Sequence, residues 1–319
     1  MKPPYKITPK ILELISSISE KIGEINSLHL QKPTTELRKK NRIKTIQASL
    51  QIEGNTITEE QITALLNNQR ILAPKKDILE VENAITTYNQ LETFNPTSFQ
   101  SFCKAHKLLL QNLVNDAGKL RTKSVGIAKG NKLAHVAPPS SQIKALLNNL
   151  FSYLKKDKDL VLIKSCVFHY ELEFIHPFMD GNGRMGRLWQ TLILMQQYPV
   201  FQFLPIETII KAKQNEYYKA LSNSDKTGSS TPFIEFMLGV INASLEELLG
   251  SQNKTITTAK RIELSRDEFG TNYFTRKDYL RLYKNISVAT ASRDLKAAVE
   301  NNIVLKTGDK RTTKYKFKS

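Results

Sequence analysis

The chain has 319 residues, of which 40 % are hydrophobic, and carries a formal net charge of +17 at pH 7. This length and composition predict a soluble globular protein of two domains, and no stretch approaches the roughly 18 uninterrupted apolar residues of a membrane span. The two cysteines, Cys103 and Cys166, have no CxxC or metal-ligand spacing, so neither a disulfide framework nor a zinc site is expected. The N-terminus has no apolar run of the kind found in a signal peptide, and we expect a cytoplasmic protein that does not associate with membranes.

Helices are predicted along the first hundred residues. Apolar positions recur with helical spacing over residues 8–26 and again over about 35–52, where the second helix ends at Gly54. Thr58 and Gln61 form a capping box for a third helix. Further helices are expected at about 77–91 and from Ser98 onward. His106 lies in the last of these and is assigned to the core or to the helix surface.

The longest non-helical region follows Gly118. Two short strands, 125–128 and 133–137, are predicted on either side of a Lys-Gly-Asn-Lys turn, and Pro138-Pro139 ends the hairpin. His135 is expected on its surface. The residues alone leave open whether this is a plain surface hairpin or a functional one.

A dense group of polar residues and glycines follows helices predicted at 140–154 and 160–175. It reads His-Pro-Phe-Met-Asp-Gly-Asn-Gly-Arg-Met-Gly-Arg from His176 to Arg187. Gly181 and Gly183 permit a tight turn and bring backbone amides close to a ligand. Apolar residues after Arg187 recur with helical spacing, so the turn opens onto a buried helix whose N-terminus attracts anions.

The charged side chains of this turn suit a nucleotide. Arg184 and Arg187 are three residues apart, on one face of the first helical turn, where both can hold phosphate oxygens. Asp180 can hold a divalent cation against those oxygens, and His176 can take a proton from an attacking hydroxyl. A structural Gly-Asn turn with solvated arginines is the alternative, but the whole string favours a site that transfers a phosphoryl-type group.

The string fits H-x-F-x-[D/E]-G-N-G-R-x-x-R and resembles the signature of the Fic family, a resemblance that extends over most of residues 35–245. It implies transfer of AMP from ATP to a Ser, Thr or Tyr hydroxyl of a target protein. His176 would be the general base and Asp180 would bind Mg²⁺ or Mn²⁺. The phosphates would be held by Gly181, Asn182, Gly183, Arg184 and Arg187. The hairpin at about 125–137 would be a flap along which the target protein binds as an added strand.

The resemblance also gives a meaning to the end of the second helix. Ser49-Leu-Gln-Ile-Glu53-Gly54 is similar to the family's inhibitory motif, [S/T]-x-x-x-E-[G/N], and Ser49 and Glu53 lie on one helix face. In the family this glutamate pairs with the second arginine of the active loop and blocks placement of the γ-phosphate. Here that pair would be Glu53 and Arg187, and it would keep activity low.

A helix is predicted at 206–221, followed by a polar loop at 222–232 and a further helix at 232–249. The family places the first of these beside the adenine, so Tyr217 or Tyr218 would line the base pocket. Core packing is the alternative for each tyrosine.

The C-terminal residues 251–319 contain 16 Lys and Arg against 7 Asp and Glu, a net charge of +9. A partly helical connector is predicted at about 251–265. The two helices and the basic hairpin that follow it resemble a winged helix-turn-helix. Contact with nucleic acid and docking of a protein remain equal alternatives. The residues predicted to face a nucleic acid are Thr290, Ser292, Arg293, Lys296, Lys310 and Arg311.

The expected fold is therefore mainly α, a Fic-type helical domain with a small β-hairpin flap plus a C-terminal winged-helix (α+β) module. Three regions are predicted: a helical region at 1–95 with the inhibitory helix at about 35–54, a Fic core at 96–250, and the winged helix at 251–319. The favoured function is an autoinhibited protein adenylyltransferase, and a homodimer is compatible with the sequence. The alternatives are a nucleotide-sensing DNA-binding regulator and an enzyme that removes AMP on the same fold.

Overall fold

The computed structural model describes residues 2–28, 35–129, 132–255, 257–283, 286–309 and 312–318. The chain forms two compact units, residues 1–245 and 246–319. Helices dominate, which confirms the mainly α fold class, and the separate N-terminal region at 1–95 stays a prediction. None of the helices in the described residues is long and apolar enough to cross a membrane.

The first unit begins with five helices, continues through one β-hairpin and then returns to helices. The helices are α1 Pro9–Ser27, α2 Thr35–Ile52, α3 Glu59–Leu66, α4 Lys75–Asn89, α5 Phe99–Leu109, α6 Ser140–Lys156, α7 Val161–Ile175, α8 Asn182–Met195, α9 Ile206–Ala212, α10 Gln214–Thr227 and α11 Thr231–Thr255. The hairpin consists of β1 Gly126–Lys129 and β2 Lys132–Val136, which are antiparallel, with Gly126 opposite Val136 and an irregularity after Ile127. Short 3-10 helices cover Leu91–Thr93 and Pro199–Phe203.

Helices α7 and α8 form the centre of this unit, and nearly every side chain of α8 is buried. Trp189 of α8 packs edge-to-face on Phe102, with ring centroids 5.1 Å apart, and its Nε1–H donates to the Pro96 carbonyl at 3.0 Å. Phe178 completes the cluster 5.3 Å from Phe102. Because each buried ring stabilises the fold by about 1.5–3 kcal/mol, this cluster fixes where α8 begins.

Helix α2 lies against α8 and α9 along its buried face, which includes Ile43, Ile46 and Leu50. The last carbonyls of a helix need donors, and here two side chains supply them. The Lys211 ammonium donates to the Gln51 carbonyl at 3.0 Å, and the Gln214 amide donates to the Ile52 carbonyl at 3.0 Å. These bonds hold the end of α2 in place, and Gly54 follows it with the predicted left-handed φ of +95°.

The second unit contains α12 Thr258–Phe269, α13 Arg276–Leu282 and α14 Val288–Glu300, followed by the antiparallel strands β3 Val304–Thr307 and β4 Lys314–Phe317. The unit has its own apolar core, in which Phe274, Tyr279 and Leu295 are buried. Asp294 of α14 is 1 % exposed and accepts hydrogen bonds from Arg261 Nε at 2.6 Å and Nη2 at 2.9 Å. A buried pair with these extra bonds ties α14 to α12.

Two predicted boundaries are wrong. The helix predicted at 206–221 is two helices broken at Lys213, and the second runs to Thr227, so most of the predicted loop at 222–232 is helical. The hydroxyl of Ser224 is buried and accepts the Phe233 N–H at 3.1 Å, an inward role that polar composition conceals. The connector at 251–265 was expected to be partly helical, and most of it is helical, because α11 reaches Thr255 and α12 begins at Thr258.

Glu207 of α9 is a buried carboxyl that faces α2 and α4. It is 1 % exposed and accepts the Tyr88 hydroxyl at 3.5 Å through Oε1, and none of the described residues forms a hydrogen bond with Oε2. Burial raises the pKa of Glu207 from its ordinary value of 4.5 to about 7. The charged form is therefore less stable in the folded chain than in the unfolded chain.

We expect Glu207→Gln to stabilise the protein increasingly as pH rises. The unfolded carboxyl ionises near pH 4.5 and the folded one near pH 7, so the native side chain costs stability progressively across that window. Above it the variant should gain on the order of 2 kcal/mol in unfolding free energy. Denaturant unfolding at pH 4.5 and 8 measures this, with the exposed Glu216→Gln as control. An equal effect of Glu207→Gln at both pH values would contradict it.

Candidate active site

The loop between α7 and α8 is shaped by left-handed residues at both of its ends. His176 follows α7 with φ +49° and ψ 60°, and Gly181 precedes α8 with φ +80°. The Asn182 side chain closes the loop, because its Oδ1 accepts the Phe178 N–H at 3.0 Å and its Nδ2 donates to the Phe178 carbonyl at 2.9 Å. Asn182 is 2 % exposed. Its side chain thus braces the loop, and the predicted role of Asn182 on a phosphate stays a prediction.

Glycines at the start of α8 let neighbouring side chains approach the backbone closely. A Cβ on Gly181 would lie 2.6 Å from the Leu110 side chain, and a Cβ on Gly183 would lie 2.6 Å from Glu53 Oε1. Within the described residues, no side chain forms a capping hydrogen bond at the N-terminus of α8. The Glu53 carboxylate therefore lies where a side chain at position 183 would be, beside the positive end of the helix dipole. A phosphate could bind at this position beside Gly183 only if Glu53 moved away.

Arg187 is buried and bonded to the end of α2. Its Nη2 donates to Glu53 Oε1 at 2.7 Å and to the Ser49 carbonyl at 2.9 Å, and its Nε donates to Ser49 Oγ at 3.1 Å. The Arg187 side chain is 1 % exposed and that of Glu53 is 34 % exposed. Burial opposes the charge, but Glu53, together with Tyr217 and Glu173, outweighs burial and raises the pKa of Arg187. Glu53 and Arg187, which the family resemblance predicts to form a pair, are therefore in contact.

Arg184 is held by two other carboxylates. It is 4 % exposed, and its guanidinium contacts Glu80 Oε1 at 3.2 Å through Nη1 and Asp180 Oδ1 at 3.1 Å through Nη2. The other oxygen of Glu80 accepts the Asn55 amide at 2.9 Å, just after the end of α2. Glu80 was not predicted. It connects Arg184 to the segment that carries Glu53.

Asp180 is the carboxylate at which a divalent ion fits. Its side chain is 49 % exposed, and Oδ1 accepts the Gly181 N–H at 2.6 Å. The described residues contain no cluster of three His, Cys, Asp or Glu that could hold an ion by itself. Magnesium commonly uses one or two carboxylates together with substrate phosphates and water. The donor set therefore fits an ion that arrives with a nucleotide.

His106 of α5 supports the loop from inside the core, a role that its sequence context did not indicate. Its Nδ1 accepts the Gly118 N–H at 2.8 Å, so the proton is on Nε2, which lies 3.0 Å from the Asp180 carbonyl. The ring stacks on Phe178 with centroids 3.6 Å apart. Burial lowers the pKa of His106 to about 4, which keeps it neutral and in this tautomer.

The two tyrosines of α10 differ in their surroundings. Tyr217 is 1 % exposed, and its hydroxyl lies 3.1 Å from His169 Nε2 and 3.4 Å from Glu173 Oε1. This burial supports the core-packing alternative for Tyr217. Tyr218 is half-buried, and its hydroxyl accepts the Gln214 amide at 3.4 Å. Of the two tyrosines, Tyr218 is the one that is accessible to a nucleotide base.

The nucleic-acid candidates of the second unit lie mainly on α14. Arg293 and Lys296 are exposed, whereas Thr290 and Ser292 are half-buried. Ser292 Oγ accepts a hydrogen bond from Arg276 Nη1 at 2.9 Å, and Lys296 Nζ lies 3.7 Å from Glu300 Oε1. Lys310 and Arg311 lie outside the described residues. The four α14 candidates share one helix, and Asp294 between them faces the core.

Comparison with known proteins identifies the family. Residues 96–194 match the model of the Fic/DOC family. A Fic family protein from Desulfovibrio desulfuricans G20 is 39 % identical, with a TM-score of 0.77, and the match covers 100 % of this chain and 98 % of that one. The protein adenylyltransferase Fic of Nematostella vectensis is 27 % identical, over 76 % of this chain and 58 % of that protein.

Protein adenylyltransferase fic-1 of Caenorhabditis elegans is 25 % identical, over 75 % of this chain and 47 % of that protein. The chain thus spans about half the length of these curated relatives. The match to the Desulfovibrio structure, in contrast, extends from end to end. This chain belongs to the Fic family.

Proposed function

We propose that this chain transfers AMP from ATP to a Ser, Thr or Tyr hydroxyl of a target protein. The observation that carries the proposal is the placement of His176 and Asp180 on the loop directly before α8, with Arg184 bonded to Asp180 and Arg187 bonded to Glu53 at the start of that helix. The names of the relatives from Nematostella and Caenorhabditis support the same activity. Its substrate is ATP.

In this reaction the acceptor oxygen attacks the α-phosphorus and forms a new P–O bond. His176 takes the hydroxyl proton, because imidazole titrates near neutral pH. The bond from the α-phosphorus to the bridging oxygen breaks, and pyrophosphate leaves with the electron pair. Amides at the start of α8 stabilise the α-phosphate charge, and Arg184 and Arg187 hold the β/γ end.

Asp180 would hold Mg²⁺ or Mn²⁺. When bound, such an ion would supply positive charge that offsets the charge on the leaving group. Arg184 shares the Asp180 carboxylate at 3.1 Å, so nucleotide phosphates that engage Arg184 would free an oxygen of Asp180 for the ion. The metal and the nucleotide should therefore bind together.

Glu53 and Ser49 keep the resting enzyme low in activity, because they occupy the Arg187 guanidinium that the γ-phosphate needs. The flap at about 125–137 would receive the target segment as an added strand. The cytoplasm supplies the ATP, and both cysteines are free thiols, as expected there. A homodimer stays a prediction.

Labelled ATP tests the proposal. With Mg²⁺ or Mn²⁺, label on the α-phosphate should pass to protein and label on the γ-phosphate should not, because pyrophosphate leaves. Transfer of the γ-label would mean phosphorylation. The alternative of AMP removal is tested by incubating a pre-labelled acceptor with the chain and following released AMP. Release without transfer would favour that alternative.

A second function is carried by a different observation, the net charge of +9 on residues 251–319 and the exposure of Arg293 and Lys296 on α14. We propose that the second unit contacts duplex DNA as a winged helix-turn-helix. Docking of a protein on the same face is the alternative.

We expect the full chain to bind a duplex with an affinity that falls steeply between 50 and 200 mM salt, roughly tenfold or more. Replacing both Arg293 and Lys296 with glutamine should weaken binding and flatten the salt dependence by about two released counterions. Fluorescence anisotropy with a labelled random-sequence duplex measures both. Salt-independent binding, or none at 50 mM salt, would leave protein docking as the role of this face.

A further inference from the structure

Arg121, between α5 and β1, is a buried arginine, and within the described residues its side-chain hydrogen bonds all end on backbone carbonyls. It is 2 % exposed, and no carboxylate of the described residues forms an ion pair with it. Its Nε donates to the His176 carbonyl at 2.7 Å, and its Nη1 donates to the Lys123 carbonyl at 2.7 Å. Its Nη2 donates to the carbonyls of Pro138 at 2.6 Å and Ile175 at 3.3 Å.

The four carbonyls belong to two functional parts. Lys123 and Pro138 lie at the two ends of the β1–β2 hairpin, whereas Ile175 and His176 end α7. The Arg121 backbone adds a fifth link, because its N–H donates to the Pro177 carbonyl at 2.9 Å. One side chain therefore connects the base of the hairpin to the backbone of the candidate general base.

Only arginine suits this position. Its guanidinium is a rigid planar fork with five donors, whereas a lysine ammonium is a compact point charge on a flexible stem. Burying a charge with no carboxylate partner is costly, and burial lowers the pKa of Arg121 accordingly. The four hydrogen bonds offset that cost. One of them ends on the carbonyl of His176, whose left-handed φ of +49° is unfavourable for a side-chain-bearing residue and persists only where the surroundings enforce it.

We propose that Arg121 is a positioning residue that fixes His176 relative to the flap, so that an acceptor hydroxyl on the flap meets the base in register. The inference rests on the proposed AMP transfer. It adds a residue that contacts the backbone of the candidate general base and sets the rate of transfer without binding ATP. Misplacing a catalytic group by about 1 Å can cost a hundredfold in rate, so the link should matter for chemistry.

The test uses two variants in the Glu53→Gly background. Arg121→Lys keeps the charge and loses the fork, and Arg121→Met fills the space but leaves the four carbonyls without a donor. Both should lower the self-labelling rate at saturating ATP by roughly tenfold or more. The ATP concentration at half-maximal rate should stay unchanged. Hydrogen exchange of peptides covering 172–180 should rise.

Arg42→Lys is the matched control, since Arg42 is half-buried and also donates to a backbone carbonyl, that of Tyr88 at 2.6 Å, away from the loop. It should change neither measurement. If both Arg121 variants label and exchange like the Arg42 control, the inference is wrong. If the Glu53→Gly parent transfers no AMP, the proposed function fails, and the exchange comparison at 172–180 still decides whether Arg121 holds His176.

Discussion

Replacing Glu53 with glycine is expected to raise self-labelling from α-labelled ATP by roughly ten- to a hundredfold, the rate equivalent of the about 1.5–3 kcal/mol that a hydrogen bond to a charged group contributes. The reason is the 2.7 Å contact between Glu53 Oε1 and Arg187 Nη2, which occupies the donor that a γ-phosphate needs. Removing the carboxylate also clears the space above Gly183. Arg187 would keep its bonds to Ser49, so its orientation should survive.

The measurement is a time course of protein-bound label with Mg²⁺ and, separately, with Mn²⁺. Glu24→Gly serves as the control, because Glu24 is an exposed glutamate in the last turn of α1 and pays a similar cost in helix propensity. It should label like the native chain. Unchanged labelling of Glu53→Gly with both ions would contradict inhibition by Glu53.

The helices were largely predictable because their signals are local. Periodic apolar residues marked α2, and the capping boxes of Thr58 with Gln61 and Thr275 with Asp278 mark the starts of α3 and α13 in the structure. The prediction failed at 222–232, where polar residues suggested a loop. There one face of α10 is buried through Tyr217, Ala220 and Ser224, and tertiary packing overrides composition.

The site was predictable to the extent that it lies in one short string. His176 to Arg187 carries its chemistry within consecutive residues, so spacing alone suggested a nucleotide. The residues that support the site from elsewhere in the chain lie outside this string. Glu80 meets Arg184 across 104 positions, His106 meets Asp180 across 74, and Arg121 meets His176 across 55.

The residues adjacent in sequence to a glutamate, histidine or arginine on a helix or loop do not predict partners that are this distant along the chain. The Glu53–Arg187 contact spans 134 positions and was expected only because the family supplied it. A carboxylate or guanidinium becomes informative once burial is known. Burying a charge is costly unless other groups engage it, so each of these residues must have partners. Burial is a property of the fold and not of the local sequence.

The second large effect is expected at His176. In the Glu53→Gly background, His176→Ala should lower AMP transfer by about a hundred- to ten-thousandfold, the range typical for loss of a positioned general base. ATP binding should change little, because the side chains assigned to the phosphates, Arg184 and Arg187, are held by their own partners: Glu80, Asp180 and Ser49. A titration with a fluorescent ATP analogue separates binding from transfer.

The His176→Ala variant also allows a test of the proton-transfer role itself. Added imidazole can enter the space left by the side chain and take the hydroxyl proton, so transfer should recover in part with imidazole concentration and with rising pH. Arg121 and the loop backbone stay in place in this variant, since Arg121 contacts the carbonyl of residue 176 and not its ring. Transfer within tenfold of the parent, with binding intact, would show that another group takes the proton.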